Sequence, residues 1–446
     1  MQEPLGPAPL TAPYDLLVHG GEVLDPTGGR PVRSDIAVRD GRVAAVAPGI
    51  DRRLASVALD ASGCLVTPGL VDLHSHLLPG STYWGIDPRP VAWRTGVTTW
   101  VDAGSAGHAG MEALRRVLEG YAPLGTRAFL HISAAGLVAE TGEQRLAELC
   151  DPGPCAATVT ANRDLLVGVK CRADRFATAG RGAAPVREAL QAAEAAGVPV
   201  MAHIGAGPPG IDEVMDLLRP GDLVTHCTTA QNMSLLAPDG RLRPSVVRAR
   251  ARGVLMDLGH GSGGFSFDVA RRLLDLGAPP DVISSDLHQR SVLGPAFDLP
   301  TCMSKLLALG MSLADVVRAA TLAPAAVLGG GPGLGRIAVG QRADLAVFEL
   351  REGELTLYDC YLQPLTAQRL LVNRATVAGG AVLGPLPPEA PAPWAPVTGR
   401  QHAHLERLAA PGTDPDSLRT PWALELDRVG DFTPMTLEAR RRPGAG

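Results

Sequence analysis

Between about Leu65 and Gly333 the chain repeats one pattern: a short apolar run, then a stretch with helical spacing. The eight runs are Gly69–Leu73, Thr98–Asp102, Ala128–Ile132, Leu165–Val169, Pro199–Ala202, Asp222–Thr225, Val254–Leu258 and Asp281–Ser284. Amphipathic stretches such as Val186–Ala196, Ile211–Leu218, Ser245–Arg252 and Ser266–Leu276 separate them. Strands alternating with helices build βαβ units and hence a parallel sheet. Eight units over about 250 residues match a (β/α)8 TIM barrel. The rival, an open doubly wound sheet, expects a Gly-x-Gly-x-x-Gly turn after its first strand, and none follows Leu73. Helical stretches Thr301–Leu309 and Leu313–Leu328 close this region, the second opened by a capping box at Ser312–Asp315.

The flanks have a different texture. Asp15–His19, Asp35–Arg39 and Arg42–Val46 are short β-type pieces, and Asp40-Gly41 between two of them is a hairpin signal. Asp344–Phe348, Leu355–Tyr358 and Gln368–Val372 repeat that texture late in the chain. Each set is small for independent stability. The expected organisation is therefore a discontinuous β-sandwich from 14–65 and 334–385, a barrel over 66–333, and a proline-rich tail over 386–446.

Composition removes several function classes. The net charge of −5 argues against electrostatic nucleic-acid binding, and 4% aromatic residues offer few stacking platforms. No run approaches the roughly 18 apolar residues of a membrane span. The start, Met1-Gln-Glu-Pro-Leu-Gly-Pro, lacks a basic n-region and an apolar h-region. The cysteines, Cys64, Cys150, Cys155, Cys171, Cys227, Cys302 and Cys360, are odd in number and contain no Cys-x-x-Cys. These features predict a cytoplasmic protein acting on a small molecule, with no nucleic-acid or membrane partner. A homo-oligomer is compatible with the sequence.

A barrel places its chemistry at the C-terminal ends of its strands. The first run ends in His74-Ser75-His76, whose two imidazoles share a face two residues apart and suit a metal ion. Later runs end in Lys170, His203, His226 and Asp286. A core role for any one histidine gives no reason for all of them to occupy strand ends, so the set predicts a metal site. Lys170 cannot ligate while protonated. Burial and nearby cations favour its neutral amine, which can take up carbon dioxide as a carbamate, a bidentate anion able to bridge two ions. Of 41 basic side chains only Lys170 and Lys305 are lysine, so a lysine at a strand end suggests a task arginine cannot perform. Lys305 falls on a helix outside this set.

These residues resemble the amidohydrolase superfamily of metal-dependent hydrolases: Val71–His76, then Lys170, His203, His226 and Asp286. The lead-in Thr67–Asp72 and the exit Gly340–Leu345 fit as well, so the likeness spans roughly 14–385. Asp102–Ala106, Lys170–Arg172, Asp257–Gly261, Ser284–His288 and Asp298–Lys305 are most similar to the bacterial amidohydrolase/deacetylase group related to dihydroorotase. The resemblance implies two divalent ions, usually zinc, one held by His74, His76 and Asp286 and the other by His203 and His226. Carboxylated Lys170 and a hydroxide would bridge them, and Asp286 would carry a proton from nucleophile to leaving group.

Further expectations follow around that set. Arg172, two beyond Lys170, is placed to clamp a substrate carboxylate. His260 and His288 are placed to contact substrate or support the ligands, and Tyr83 and Trp84 to line the pocket. Cys171 and Cys227 should face away as packing residues, while His19, His402 and His404 fall outside the barrel. Dihydroorotases carry an arginine two residues after the second histidine; Leu78 stands there. The expected reaction is removal of an acyl group from a small carboxylate-bearing substrate, as amide or ester. Ring opening of a cyclic amide is the alternative. A non-catalytic scaffold would have lost ligands, and none is missing.

Overall fold

The computed structural model describes residues 12–331 and 333–387. The N-terminal arm through residue 11 and the proline-rich tail from 388, with His402 and His404, lie outside the described residues. Seven strands form one parallel sheet in sequence order: β1 (Leu70–Ser75), β2 (Val97–Ala103), β3 (Gly125–His131), β4 (Leu166–Arg172), β5 (Val200–His203), β6 (Leu223–Thr225) and β7 (Leu255–Asp257). The eighth run closes the ring through single bridges, Asp257 to Val282 on one side and Ser75 to Leu287 on the other. The Leu258 and His76 amides donate to the carbonyls of Val282 and Leu287, both at 2.9 Å.

Every residue of β1 and β2 is buried. That is the signature of parallel strands covered on both faces. Outside the ring, helices such as Ala184–Ala196, Pro244–Arg252 and Phe267–Asp275 cover the strands. Inside it, Leu73, Val101, Phe129, Met201, Leu223 and Val282 form a separate apolar plug. Each such side chain contributes roughly 1.5–3 kcal/mol by leaving water. Side chains two apart on a strand share a face. The plug residues Phe129, Met201 and Leu223, and Leu255 packed against them, are thus followed, one layer higher, by His131, His203, Thr225 and Asp257. The barrel interior is apolar below and polar above because period-two alternation makes it so.

The flanks build two facing sheets. One has the order Arg42–Ala47, Asp35–Arg39, Tyr14–His19, Ala55–Asp60. The other runs Ala381–Val382, Pro364–Ala378, Leu345–Tyr358, Leu65–Pro68, Glu22–Val23, Val32–Arg33. Leu65–Phe348 pairing joins the N- and C-terminal flanks, and Leu16, Ile36, Val66, Leu345, Val347 and Val377 share one core. The Asp40-Gly41 turn has positive φ at both residues, 51° and 71°, as a two-residue hairpin of the primed type requires. Ser312 Oγ accepts from the Asp315 amide at 3.1 Å, completing the expected cap.

Two readings change. Asp344–Phe348 and Leu355–Tyr358 merge into the single strand Leu345–Tyr358, bulged between Glu352 and Leu355 at Gly353. The helical stretch Leu313–Leu328 splits into Leu313–Ala319 and Leu322–Val327 around Thr321. Among the described residues no helix is long and apolar enough to cross a membrane.

Candidate metal centre

β1 delivers His74 and His76 to the upper layer of the barrel. Their Nε2 atoms stand 3.3 and 3.2 Å from Asp286 Oδ1. Ligand atoms of these three buried residues all lie within 4.8 Å of one another, a spacing that fits one ion. The other ring nitrogens are braced. His74 Nδ1 lies 2.9 Å from Thr225 Oγ1, which itself donates to Asp257 Oδ2 at 2.6 Å. His76 Nδ1 lies 3.0 Å from Ser105 Oγ. Asp257 is fixed further by Ser284 Oγ at 2.6 Å. Such outer contacts set ring orientation and tautomer, leaving each Nε2 lone pair directed at the site.

β5 and β6 supply a second pair. His226 Nδ1 lies 2.6 Å from the Gly259 carbonyl, so it carries the proton and donates it there. His203 Nε2 faces Asp174 Oδ2 at 3.3 Å, without a hydrogen bond between them. His203 Nδ1 and His226 Nε2 stand 2.8 Å apart, and with the His203 proton on Nε2, on the side of Asp174, both would present lone pairs. Two acceptors so arranged suit a shared cation. His226 lies just beyond β6, out of phase with the inward-facing Leu223 and Thr225. Its φ of 68° turns it to face the site, and Asp286 likewise has a φ of 48°. Positive φ is uncommon for non-glycine residues and clusters at functional sites.

Lys170, near the end of β4, adjoins the first group, whose His74 ring stands 5.4 Å from that of His226. Its Nζ is 3.1 Å from His74 Nε2 and 3.4 Å from Met201 Sδ. Burial lowers it to about 8, against the opposing pull of Asp286 and Asp257. Gly104 makes room for it, since a Cβ there would come within 2.6 Å of Lys170 Cβ. Burial also keeps His74 and His203 well below the ordinary imidazole range and puts His226 at about 4. Burial pushes the Asp286 carboxyl up, but His74, His76 and His288 outweigh it and hold the group well below the carboxylate range. Neutral imidazoles beside a carboxylate are the donor chemistry a divalent ion needs. The site opens into a cavity of about 580 Å³.

The amidohydrolase family profile matches residues 65–384. The chain belongs to the amidohydrolase family. It is 36% identical over 378 residues to a deacetylase of Agrobacterium fabrum, covering 84% of this chain and 92% of that protein. It is 30% identical over 378 residues to a deacetylase of Enterococcus faecalis, covering 83% and 99%. Two crystal structures are similar. One, solved as an adenine deaminase, has a TM-score of 0.77 at 28% identity. The other, solved as a dihydroorotase, has a TM-score of 0.76 at 33% identity. Each covers 83% of this chain and 99% of the solved one.

The wall of this amidohydrolase's cavity differs in part from expectation. Arg172 and His288 line it. Arg172 is already flanked by acids, with Nη1 3.5 Å from Glu143 Oε1 and Nε 3.3 Å from Asp174 Oδ2. His288 Nδ1 accepts from the Arg290 and Ser291 amides, both at 3.2 Å, so its Nε2 carries the proton and can donate. Tyr83 does not line the cavity. Its amide is tied to the Leu137 carbonyl, and its ring stands edge-on against Trp84, which takes the lining position and contacts His288. His260 does not line it either. Gly259 and Gly261, with φ of 49° and 53°, turn the chain there, and the ring stacks on Phe265. Cys171 and Cys227 are buried, and Leu78 is buried with no cation in its place.

Among the wall residues that escaped the sequence reading are His131, Asp174 and Tyr361. His131 ends β3 as its counterparts end theirs, so strand-end position was a usable signal. Asp174 faces both His203 and Arg172 from the loop after β4, and only folding reveals that. Tyr361 arrives from the tip of the long hairpin, where its hydroxyl accepts from the Ala230 amide at 3.1 Å.

Proposed function

We propose that this amidohydrolase removes an acyl group, as amide or ester, from a small carboxylate-bearing substrate using two divalent ions. The observation that supports this is that Lys170 Nζ lies 3.1 Å from His74 Nε2 in the His74, His76 and Asp286 group, while the His203–His226 pair stands beside that group, with the His74 and His226 rings 5.4 Å apart. When bound, the ions supply Lewis acidity and make a water acidic near neutral pH. Zinc is the expected metal, although this N/O donor set also accepts Mn, Fe, Ni or Co. Lys170, lowered to about 8, has the neutral amine that carbamate formation requires, and its carbamate would be shared between the ions. Asp286 takes a proton from the attacking water and returns it to the leaving nitrogen or oxygen. His288 donates Nε2–H to the scissile carbonyl from the wall. Arg172 and Arg175 provide the positive side for the carboxylate; Arg175 lines the mouth, stacked 4.7 Å above Phe176.

The relatives named deacetylases, similar over most of the chain, support acyl removal. The structure solved as a dihydroorotase keeps ring opening of a cyclic amide as the second reading. Incubating metal-loaded protein with N-acyl and O-acyl α-substituted acids beside cyclic imides separates them. Release of the acyl acid is expected, at a rate at least tenfold above ring opening. Turnover of the cyclic set alone overturns the assignment.

A further inference from the structure

The second lysine of the chain is buried, in the helix Leu299–Ala308. Lys305 Nζ donates to the Pro295 carbonyl at 2.7 Å and to His260 Nε2 at 2.8 Å. Among the described residues no carboxylate lies within ion-pair distance of it. A buried lysine without a counter-ion costs stability that a methionine or leucine of similar volume would not. Its presence therefore calls for a task other than filling space.

That task is visible in what His260 holds. His260 Nδ1 donates to the Gly261 carbonyl at 2.9 Å, and its ring stacks on Phe265 with centroids 4.5 Å apart. Cys360, at the tip of the long hairpin, has Sγ 3.5 Å from the His260 carbonyl and 3.6 Å from that of Gly261. Three elements thus meet at one ring: the helix of Lys305, the loop after β7, and the hairpin tip. The loop continues into the metal centre. The His260 and Gly261 amides donate to the Ser284 and Ser285 carbonyls at 3.2 and 2.9 Å, immediately before Asp286. A Cβ at Gly261 would collide with Asp286 Oδ2, and one at Gly264 with His226 Nδ1. The Gly259 carbonyl is the acceptor that orients the His226 ring.

We propose that Lys305 is a positioning residue for the metal centre: by holding His260 it seats the 259–264 loop, and that loop fixes Asp286 and His226. One ligand of each donor group then depends on a lysine that touches neither. This rests on reading Asp286 and His226 as ligands.

Lys305→Met tests it, because the substitution keeps the volume and removes the donor. The variant is expected to fold with a Tm equal to or above that of the wild type. Loaded with Co²⁺, it should show an altered visible absorption spectrum and lose metal to a chelator at least tenfold faster. Its kcat on an N-acyl or O-acyl acid should fall at least tenfold with KM within threefold. His260→Phe should behave alike and be non-additive with Lys305→Met. His260→Gln, whose amide oxygen can still accept from Lys305, should restore most of the wild-type spectrum. A Lys305→Met protein with wild-type spectrum and chelator resistance overturns the role of Lys305 alone. So does a kcat loss that merely follows the folded fraction. Wild-type protein that takes up no Co²⁺ overturns both this role and the reading of the site.

Discussion

Asp286→Asn is expected to lower kcat by about 10³-fold or more while leaving the protein folded and at least one ion bound. The estimate combines the 10²–10⁴-fold typical of a positioned acid–base group with loss of a charged ligand. Asparagine is nearly isosteric, and it tolerates the left-handed backbone that residue 286 adopts at φ 48° better than most residues. Folding should therefore survive. The substitution removes the anion 3.2–3.3 Å from His74 and His76 Nε2 and the only acceptor for the attacking water's proton in the proposed reaction. His203 and His226 are untouched, so their ion should remain. Steady-state kinetics with metal content per chain checks both halves. A kcat within tenfold of wild type refutes the proton-carrying role.

Loss of Lys170 should be as severe. Lys170→Met is expected to fall by about 10³-fold or more, since proximity and charge at a bridging position are lost together. Lys170→Arg should be no better, because a guanidinium cannot form a carbamate. Lys170→Ala leaves space, so millimolar formate or acetate should restore part of the activity by replacing the bridging carboxylate. The pH dependence has a definite sign. With the amine near 8, its neutral fraction rises about tenfold per unit below that value and levels above it. Reactivation of metal-free protein by metal at constant dissolved carbon dioxide should accelerate in the same way. A rate flat from pH 6 to 8 contradicts carbamate formation as the route. Mass spectrometry of native protein offers an independent reading of the modification.

The fold was legible where one period governed it. The apolar runs gave seven barrel strands, and the eighth run closes the ring through Val282 and Leu287 rather than as a paired strand. Of the donors, His203 was legible because period-two alternation carries it inward after Met201, whereas His74 and His76 follow a register shift in β1 and His226 and Asp286 are turned in by positive φ. Loops obey no such period. His260 was expected either at the substrate or behind the ligands, and two left-handed glycines turn its ring away from the cavity to Lys305. Arg172 reads as a free clamp in sequence; folding brings Glu143 and Asp174 beside it. Tyr361 comes from a hairpin whose strands are 14 and 15 residues long, beyond the reach of any local pattern. The scarcity of lysine proved informative twice. Both lysines are buried, one beside the first donor group and one behind the loop that supports both groups.

In the proposed reaction two ions act together on one acyl substrate. The direct measurement is kcat for an acylated acid against metal bound per chain, titrated from chelator-treated protein in bicarbonate. Little turnover is expected through the first equivalent, a rise through the second, and a plateau at two. A plateau at one equivalent, or full turnover by metal-free protein, contradicts the two-ion reaction.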